Sequence, residues 1–129
     1  MRLHSLPVNH LGVIVEPSTL AEMAAGNPKN LFVDDVQGVS VFFKFDSEFK
    51  TNFEYIAKEG RAARFELGFN HVCLDVDSEN EFQKIHDEIV SNSFGFRLTF
   101  PEVSAATGFC NRVAFYQLKT GIVEFNILE

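Results

Sequence analysis

A short motif occurs twice in the chain, and this repetition constrains the fold more than any other feature of the sequence. Residues 9–16 (Asn-His-Leu-Gly-Val-Ile-Val-Glu) return as residues 70–77 (Asn-His-Val-Cys-Leu-Asp-Val-Asp). Both copies are rich in aliphatic residues and read as β-strands. Downstream of each copy lies another short apolar strand with a glutamate in its middle, Glu54 in the first half and Glu124 in the second. The sequence therefore predicts two similar halves, each of which supplies one histidine and one glutamate.

The length of the chain fits a single domain. With 129 residues it can bury a hydrophobic core without cross-links. We expect one domain over residues 1–129, made of two modules at about residues 1–58 and 66–129 and joined by a short linker. No stretch approaches the ~20 apolar residues that span a bilayer, and the first residues lack the apolar core and cleavage site of a signal peptide.

Charge and cysteine content narrow the classes of partner. The net charge of −7 comes without a basic cluster, which argues against nucleic acid and membrane surfaces as partners. The two cysteines, Cys73 and Cys110, are too few for a disulfide framework and their spacing fits no zinc motif. We therefore expect two reduced thiols in a cytoplasmic protein. The chain has fifteen phenylalanines, most of them expected in the core, although a Phe-rich cup could also receive an apolar ligand.

Each motif strand is followed by a predicted helix and then by further strands. Thr19 is predicted to cap the first helix, and Gly26 to follow its end. Ser78 is predicted to cap the second helix, which should run from about residue 79 to about residue 91. The segments 41–45 and 114–118 also correspond to each other when Phe42 is aligned with Phe115. Strands are predicted over residues 8–15, 70–76, 39–45, 52–56, 96–100, 112–118 and 122–127.

Alternation along these strands predicts where the polar side chains point. In the first motif, Leu11 and Val13 should face the helix, so His10 points to the other side of the sheet. The same argument applies to His71 in the second motif. Each glutamate lies between two apolar neighbours and leaves its strand on the opposite side from them. A carboxylate in an apolar strand is costly to bury unless it is paired or bound to a metal.

Taken singly, these residues have simpler interpretations. A histidine at the start of a strand is more often a core-edge residue, and a glutamate in an open antiparallel sheet usually faces solvent. The recurrence of both residue types favours a shared metal site instead, whereas His4 and His86 have no such counterpart and are predicted to be surface residues. Imidazole and carboxylate donors without thiolate suit Zn, Ni, Co, Mn or Fe, and the sequence does not select among them. The predicted metal ligands are His10, Glu54, His71 and Glu124.

The chain resembles the vicinal oxygen chelate superfamily, which includes glyoxalase I, methylmalonyl-CoA epimerase, extradiol dioxygenases and bleomycin- or fosfomycin-resistance proteins. The resemblance covers nearly the whole chain and is strongest at residues 36–56, 68–77 and 112–115. It implies an α+β, glyoxalase-like fold in which two tandem βαβββ modules form an incomplete barrel, or cup, around a metal. It also implies ligands on the first and last strands of each module, which are the four residues named above.

Within that superfamily, the segment Gln37-Gly38-Val39 is most similar to the methylmalonyl-CoA epimerase branch. The resemblance implies abstraction of a proton next to a carbonyl, with Glu124 as one base and the metal stabilising the enolate. A second acid is implied just before the Gln-Gly-Val segment. Val36 occupies that position here, and the nearest acid is Asp35.

These observations favour a metal-dependent isomerase, epimerase or lyase, either methylmalonyl-CoA epimerase-like or glyoxalase-like. The alternative is a non-catalytic protein that binds small molecules, as in drug sequestration, and a ring-cleaving dioxygenase is disfavoured by the additional Glu54. The expected ligand is an acyl thioester or an apolar small molecule, and the family habit of pairing modules across chains implies a homodimer. Basic candidates for the cup mouth are Arg61, Arg64, Arg97 and Arg112.

Overall fold

A computed structural model describes residues 3–34 and 38–129 of the chain. The chain divides into two units: the first unit is residues 10–70, and the second unit joins residues 1–9 to residues 71–129. The described residues form nine strands and two α-helices. The fold is therefore mixed α+β, which confirms the fold class predicted from the sequence. Neither helix has the length and apolar character that crossing a bilayer requires, as far as the described part of the chain is concerned.

The first unit is a four-stranded sheet with one helix on it. Its strands follow the spatial order β2-β3-β4-β1, with antiparallel pairing except between β4 and β1, which run parallel. Leu20 and Ala24 of the helix pack against one face of the sheet. On the other face, Ile14 packs with Ala62 from a short 3-10 turn after the last strand. The elements are β1 (Val8–Val15), α1 (Pro17–Ala25), β2 (Leu31–Asp34), β3 (Val39–Asp46) and β4 (Thr51–Ala57).

The second unit repeats this order of elements around a larger core. Its strands follow the order β5-β9-β8-β6, with β5 and β9 parallel and the short β7 pairing with β8. Phe82, Ile85 and Ile89 of the helix are buried against the sheet side chains Leu74 and Phe125. The elements are β5 (Gly68–Val76), α2 (Glu79–Ser91), β6 (Gly95–Arg97), β7 (Glu102–Val103), β8 (Arg112–Leu118) and β9 (Gly121–Ile127).

The strand predicted over residues 96–100 is shorter than expected. Regular pairing stops at Arg97 because the amides of Leu98 and Thr99 both donate to the carbonyl of Phe115, at 2.8 and 3.2 Å. Two residues facing one partner residue form a bulge, which ends the ladder. The sequence also did not predict β2 and β7. Both strands are short, and β2 is only partly buried while β7 is exposed.

The ends of the helices confirm two predictions and contradict one. Ser78 caps α2, because its Oγ accepts a hydrogen bond from the Glu81 amide at 3.2 Å. The prediction of Thr19 as a cap is wrong: α1 begins at Pro17, where a proline needs no amide partner and has its φ already set for a helix. Gly26 directly follows α1 as predicted, although its φ of −80° is right-handed and any residue can adopt it.

A partly buried amide–carboxylate network anchors the loop that precedes β8 in the second unit. Asp75 Oδ1 accepts hydrogen bonds from Asn9 Nδ2 at 3.1 Å and from Asn126 Nδ2 at 3.0 Å. Asn9 Nδ2 also donates to the Phe109 carbonyl at 2.9 Å, and Asn126 Oδ1 accepts from the Asn111 amide at 2.8 Å. Buried polar groups need such partners, so this network fixes the path of the loop over the sheet.

We predict that Ser78→Ala lowers the free energy of unfolding by about 1 kcal/mol, because the Glu81 amide loses its acceptor. The matched control is Thr19→Ala, which removes a hydroxyl from an exposed position inside α1 and should change stability by less than about 0.5 kcal/mol. Urea unfolding followed by circular dichroism measures both. Equal losses in the two variants would contradict the assignment of the caps.

We predict that Asn126→Ala lowers the free energy of unfolding by about 1–3 kcal/mol, because Asp75 and the Asn111 amide each lose a buried partner. Asn80→Ala, at an exposed position in α2, serves as the control. Hydrogen exchange should also accelerate at the Asn111 amide in the first variant. An unchanged exchange rate there would show that the loop is held by other contacts.

Candidate metal centre

The first unit brings His10 and Glu54 together on the face of the sheet that α1 does not cover. The parallel register of β1 and β4 places Gly12 opposite Glu54, and His10 precedes Gly12 on the same face. His10 Nε2 lies 3.3 Å from Glu54 Oε1. The histidine side chain is fully buried and the glutamate side chain is 13% exposed. The directions predicted for both side chains are thus confirmed within this unit.

The second unit brings His71 and Glu124 together in the same way. The parallel register of β5 and β9 places Cys73 opposite Glu124, and His71 precedes Cys73 on the same face. His71 Nε2 lies 3.1 Å from Glu124 Oε1. Both side chains are buried, with 1% and 6% exposure. Each unit therefore contains one His–Glu pair, formed by side chains of two parallel neighbouring strands.

A phenylalanine stands beside each pair, and these two residues were not identified from the sequence. The Phe43 ring lies 5.2 Å from the His10 ring at an interplanar angle of 84°, and the Phe115 ring lies 5.3 Å from the His71 ring at 81°. Edge-to-face contact of this kind is favourable and restricts the orientation of the imidazole. The alignment of Phe42 with Phe115 is off by one residue, because Phe43 and Phe115 are the residues that face the two glutamates across the antiparallel ladder.

The separation of the donor atoms in each pair allows two chemical states. A protonated imidazole and a carboxylate can form a buried ion pair. Alternatively, a neutral imidazole and the carboxylate can both bind one metal ion. Two donors at about 2.0–2.2 Å from an ion, about 90–110° apart, lie roughly 3.0–3.4 Å from each other. The observed 3.3 and 3.1 Å fall in that range. The donor set of each pair therefore fits a divalent metal.

The structure does not bring the remaining candidate residues from the sequence into contact with either His–Glu pair, as far as the described residues show. Asp35, the candidate second base, lies outside the described residues. Arg112 is engaged away from the pairs, since its Nη1 donates to Glu79 Oε2 at 2.8 Å. Arg61 and Arg64 are exposed on the 3-10 turn after β4. Grouping of the two His–Glu pairs around one ion stays a prediction.

His86 is not the surface residue that its position in α2 predicted, whereas His4 is exposed as expected. His86 Nδ1 lies 2.7 Å from the Tyr116 hydroxyl, to which Arg97 Nε donates at 3.2 Å. Burial raises the pKa of the Tyr116 phenol, although Arg97 lowers it in part. The hydroxyl therefore keeps its proton. Helical periodicity shows that His86 is on the polar side of α2, but not that a sheet hydroxyl reaches it.

Comparisons with known proteins show the fold. No protein-family model matches the sequence, and no curated protein matches it. Among solved structures, the chain is similar to a hypothetical protein from Bacillus halodurans C-125, with a TM-score of 0.70, 18% identity and coverage of 97% of this chain and 96% of that one. It is also similar to methylmalonyl-CoA epimerase from Mycobacterium tuberculosis, with a TM-score of 0.65, 13% identity and coverage of 93% and 86%.

A third solved structure extends the likeness to a dioxygenase. The 2,3-dioxygenase LapB from Pseudomonas sp. KL28 matches with a TM-score of 0.57 and 14% identity, over 93% of this chain and 40% of the dioxygenase. These likenesses confirm the fold that the resemblance in the sequence implied. The chain has a glyoxalase-like fold.

Proposed function

We propose that the His10–Glu54 and His71–Glu124 pairs together bind one divalent metal ion, which is Zn, Ni, Co, Mn or Fe. The observation that carries this proposal is the equivalence of the pairs: each joins a buried imidazole to a carboxylate at the same register of a parallel strand pair. Two imidazoles and two carboxylates form a set of hard and borderline donors that suits these ions. The superfamily fold supports a metal held by residues of both halves.

We further propose that the protein is a metal-dependent isomerase, epimerase or lyase that acts on a carbon next to a carbonyl. A bound metal would supply Lewis acidity to the carbonyl oxygen of the substrate. Glu124 is the proposed base, because the resemblance to the methylmalonyl-CoA epimerase branch implies this role for it and its carboxylate lies beside His71. Asp35 is proposed as the acid on the opposite side of the substrate carbon.

The proposed substrate is an acyl thioester or a hemithioacetal. Likeness of the fold to methylmalonyl-CoA epimerase supports the thioester. Such substrates carry anionic groups far from the reacting carbon, and the exposed Arg61 and Arg64 are the proposed contacts for them.

We also propose that the protein is a homodimer.

Two exposed phenylalanines favour a second candidate, a protein that binds an apolar small molecule without chemistry. Phe45 follows Phe43 in β3, on the face of the first unit's sheet that bears His10, and it is 60% exposed. Phe96 pairs with Gln117, on the face of the second sheet that bears His71, and it is also 60% exposed. Large apolar side chains exposed beside polar ligating groups are typical of ligand sites.

We predict that the protein binds one divalent ion per chain, and that His10→Ala and His71→Ala each abolish that binding. Each variant removes one of the imidazole ligands of a single shared ion. Neither variant should therefore bind a fraction of the metal that the unaltered protein binds. Mass-spectrometric metal analysis after equilibrium dialysis measures the stoichiometry. His4→Ala, at an exposed position, is the matched control and should bind normally. Two ions per chain, with one lost in each variant, would mean that the pairs act separately.

We predict that the metal-loaded protein exchanges the α-proton of an acyl thioester or a hemithioacetal with solvent deuterium. Glu124→Gln should slow this exchange by about 10²–10⁴-fold, because an amide cannot accept the proton. Exchange is followed by proton nuclear magnetic resonance over a panel of 2-substituted acyl thioesters and of hemithioacetals.

The control for this measurement is Glu48→Gln, which changes an exposed glutamate and should leave the rate unchanged. The binding protein would be favoured over the enzyme by two results together. The metal-loaded protein would exchange none of these protons, and it would bind an apolar fluorescent probe that the Phe45→Ser variant no longer binds.

A further inference from the structure

The second unit contains two buried thiols that the proposed chemistry does not use. Cys73 is fully buried in β5, and Cys110 is 7% exposed at the end of the loop before β8. Although the two residues are far apart in the sequence, their Sγ atoms lie within 4.8 Å of each other. We propose that Cys73 and Cys110 form a second metal site, which binds one soft cation of the Cu(I) type.

The strand that carries Cys73 and the loop that carries Cys110 are both held by hydrogen bonds. Cys73 is in the interior of a paired strand, where its backbone is fixed by the β5–β9 ladder. Cys110 is positioned by its own loop, because its amide donates to the Ala106 carbonyl at 3.0 Å and its Sγ lies 3.6 Å from Asn9 Oδ1. Asn9 is in turn tied to Asp75. The approach of the thiols therefore results from the network that anchors the loop.

The spacing of the sulfurs suits an ion between them. Thiolates are soft ligands that select Cu(I) and related ions over hard cations such as Mg²⁺. Two metal–sulfur bonds of about 2.3 Å span roughly 4.6 Å, so one ion can reach both sulfurs after little side-chain movement. A disulfide needs its sulfurs about 2.05 Å apart, and both cysteines are reduced thiols in the structure.

Cys110 lies at the edge of the second unit, next to solvent. It lines a surface depression together with Ser104, Thr107 and Asn111. The depression also contains Arg112, whose guanidinium is paired with Glu79. The proposed ion would enter from this depression, past Cys110.

The thiol site differs in chemistry from the His–Glu pairs, so its existence does not rest on the proposed function. Hard and borderline divalent ions are expected at imidazole and carboxylate, and soft cations at the thiols.

The test uses the full chain, reduced and handled without oxygen. Cu(I) is added as its acetonitrile complex and competed against bicinchoninate, so that the affinity and the stoichiometry are both measured. We expect one Cu(I) per chain, and X-ray absorption should show sulfur ligands at about 2.3 Å. Cys110→Ser should weaken binding by more than about 100-fold, beyond the range for a supporting contact.

His4→Ala is the control, because it removes an exposed imidazole while leaving both sulfurs. It should retain the Cu(I) affinity of the unaltered protein. Two results would overturn the proposal: nitrogen-only coordination in the absorption spectrum, or full binding by the Cys110→Ser variant. If Cys73→Ser fails to fold, the spectrum of the unaltered chain and the Cys110→Ser titration still decide the question.

Discussion

The parallel pairing of the first and last strands within each unit is the constraint on which the rest of the structure depends. This pairing sets a histidine of one strand beside a glutamate of the other. Parallel neighbours cannot be joined by a tight turn, so the chain must leave the first strand and return over a long connection. In both units that connection contains the helix and the antiparallel strands that complete the sheet. The parallel pairing therefore determines both the order of the elements and the placement of the polar pair.

Burial makes the charged groups of the His–Glu pairs energetically costly unless they are compensated. Glu124 has only 6% of its side chain exposed, and its carboxylate must be compensated by its neighbours. Removing one partner of such a pair typically costs about 3–5 kcal/mol, because the other charge is left buried and alone. Within each unit, a hydrophobic pair of the same size would pack at least as well. Retention of imidazole and carboxylate at equivalent positions in both units is therefore better explained by ligand binding than by stability.

The sequence predicted the parts of the molecule in which one local pattern determines the outcome. Alternation along β1 and β5 correctly placed both histidines away from the helices, and the Ser78 cap correctly began α2. Prediction failed where partners come from distant segments. The alignment of the two halves slipped by one residue at Phe43, because adjacent phenylalanines look alike and only the ladder to Glu54 distinguishes them. The contact of His86 with Tyr116 depends on how α2 lies across β8, which no periodicity within α2 reveals.

The first strand has a consequence for how the polypeptide can be divided. Residues 8 and 9 of β1 belong to the second unit, while the strand continues from His10 into the first. Asn9 supplies the amide that satisfies both Asp75 and the Phe109 carbonyl. A fragment that starts after β4 would therefore lack a structural group of its own core. Such a fragment would leave Asp75 with one of its two amide donors, from Asn126, and the Phe109 carbonyl without the Asn9 donor.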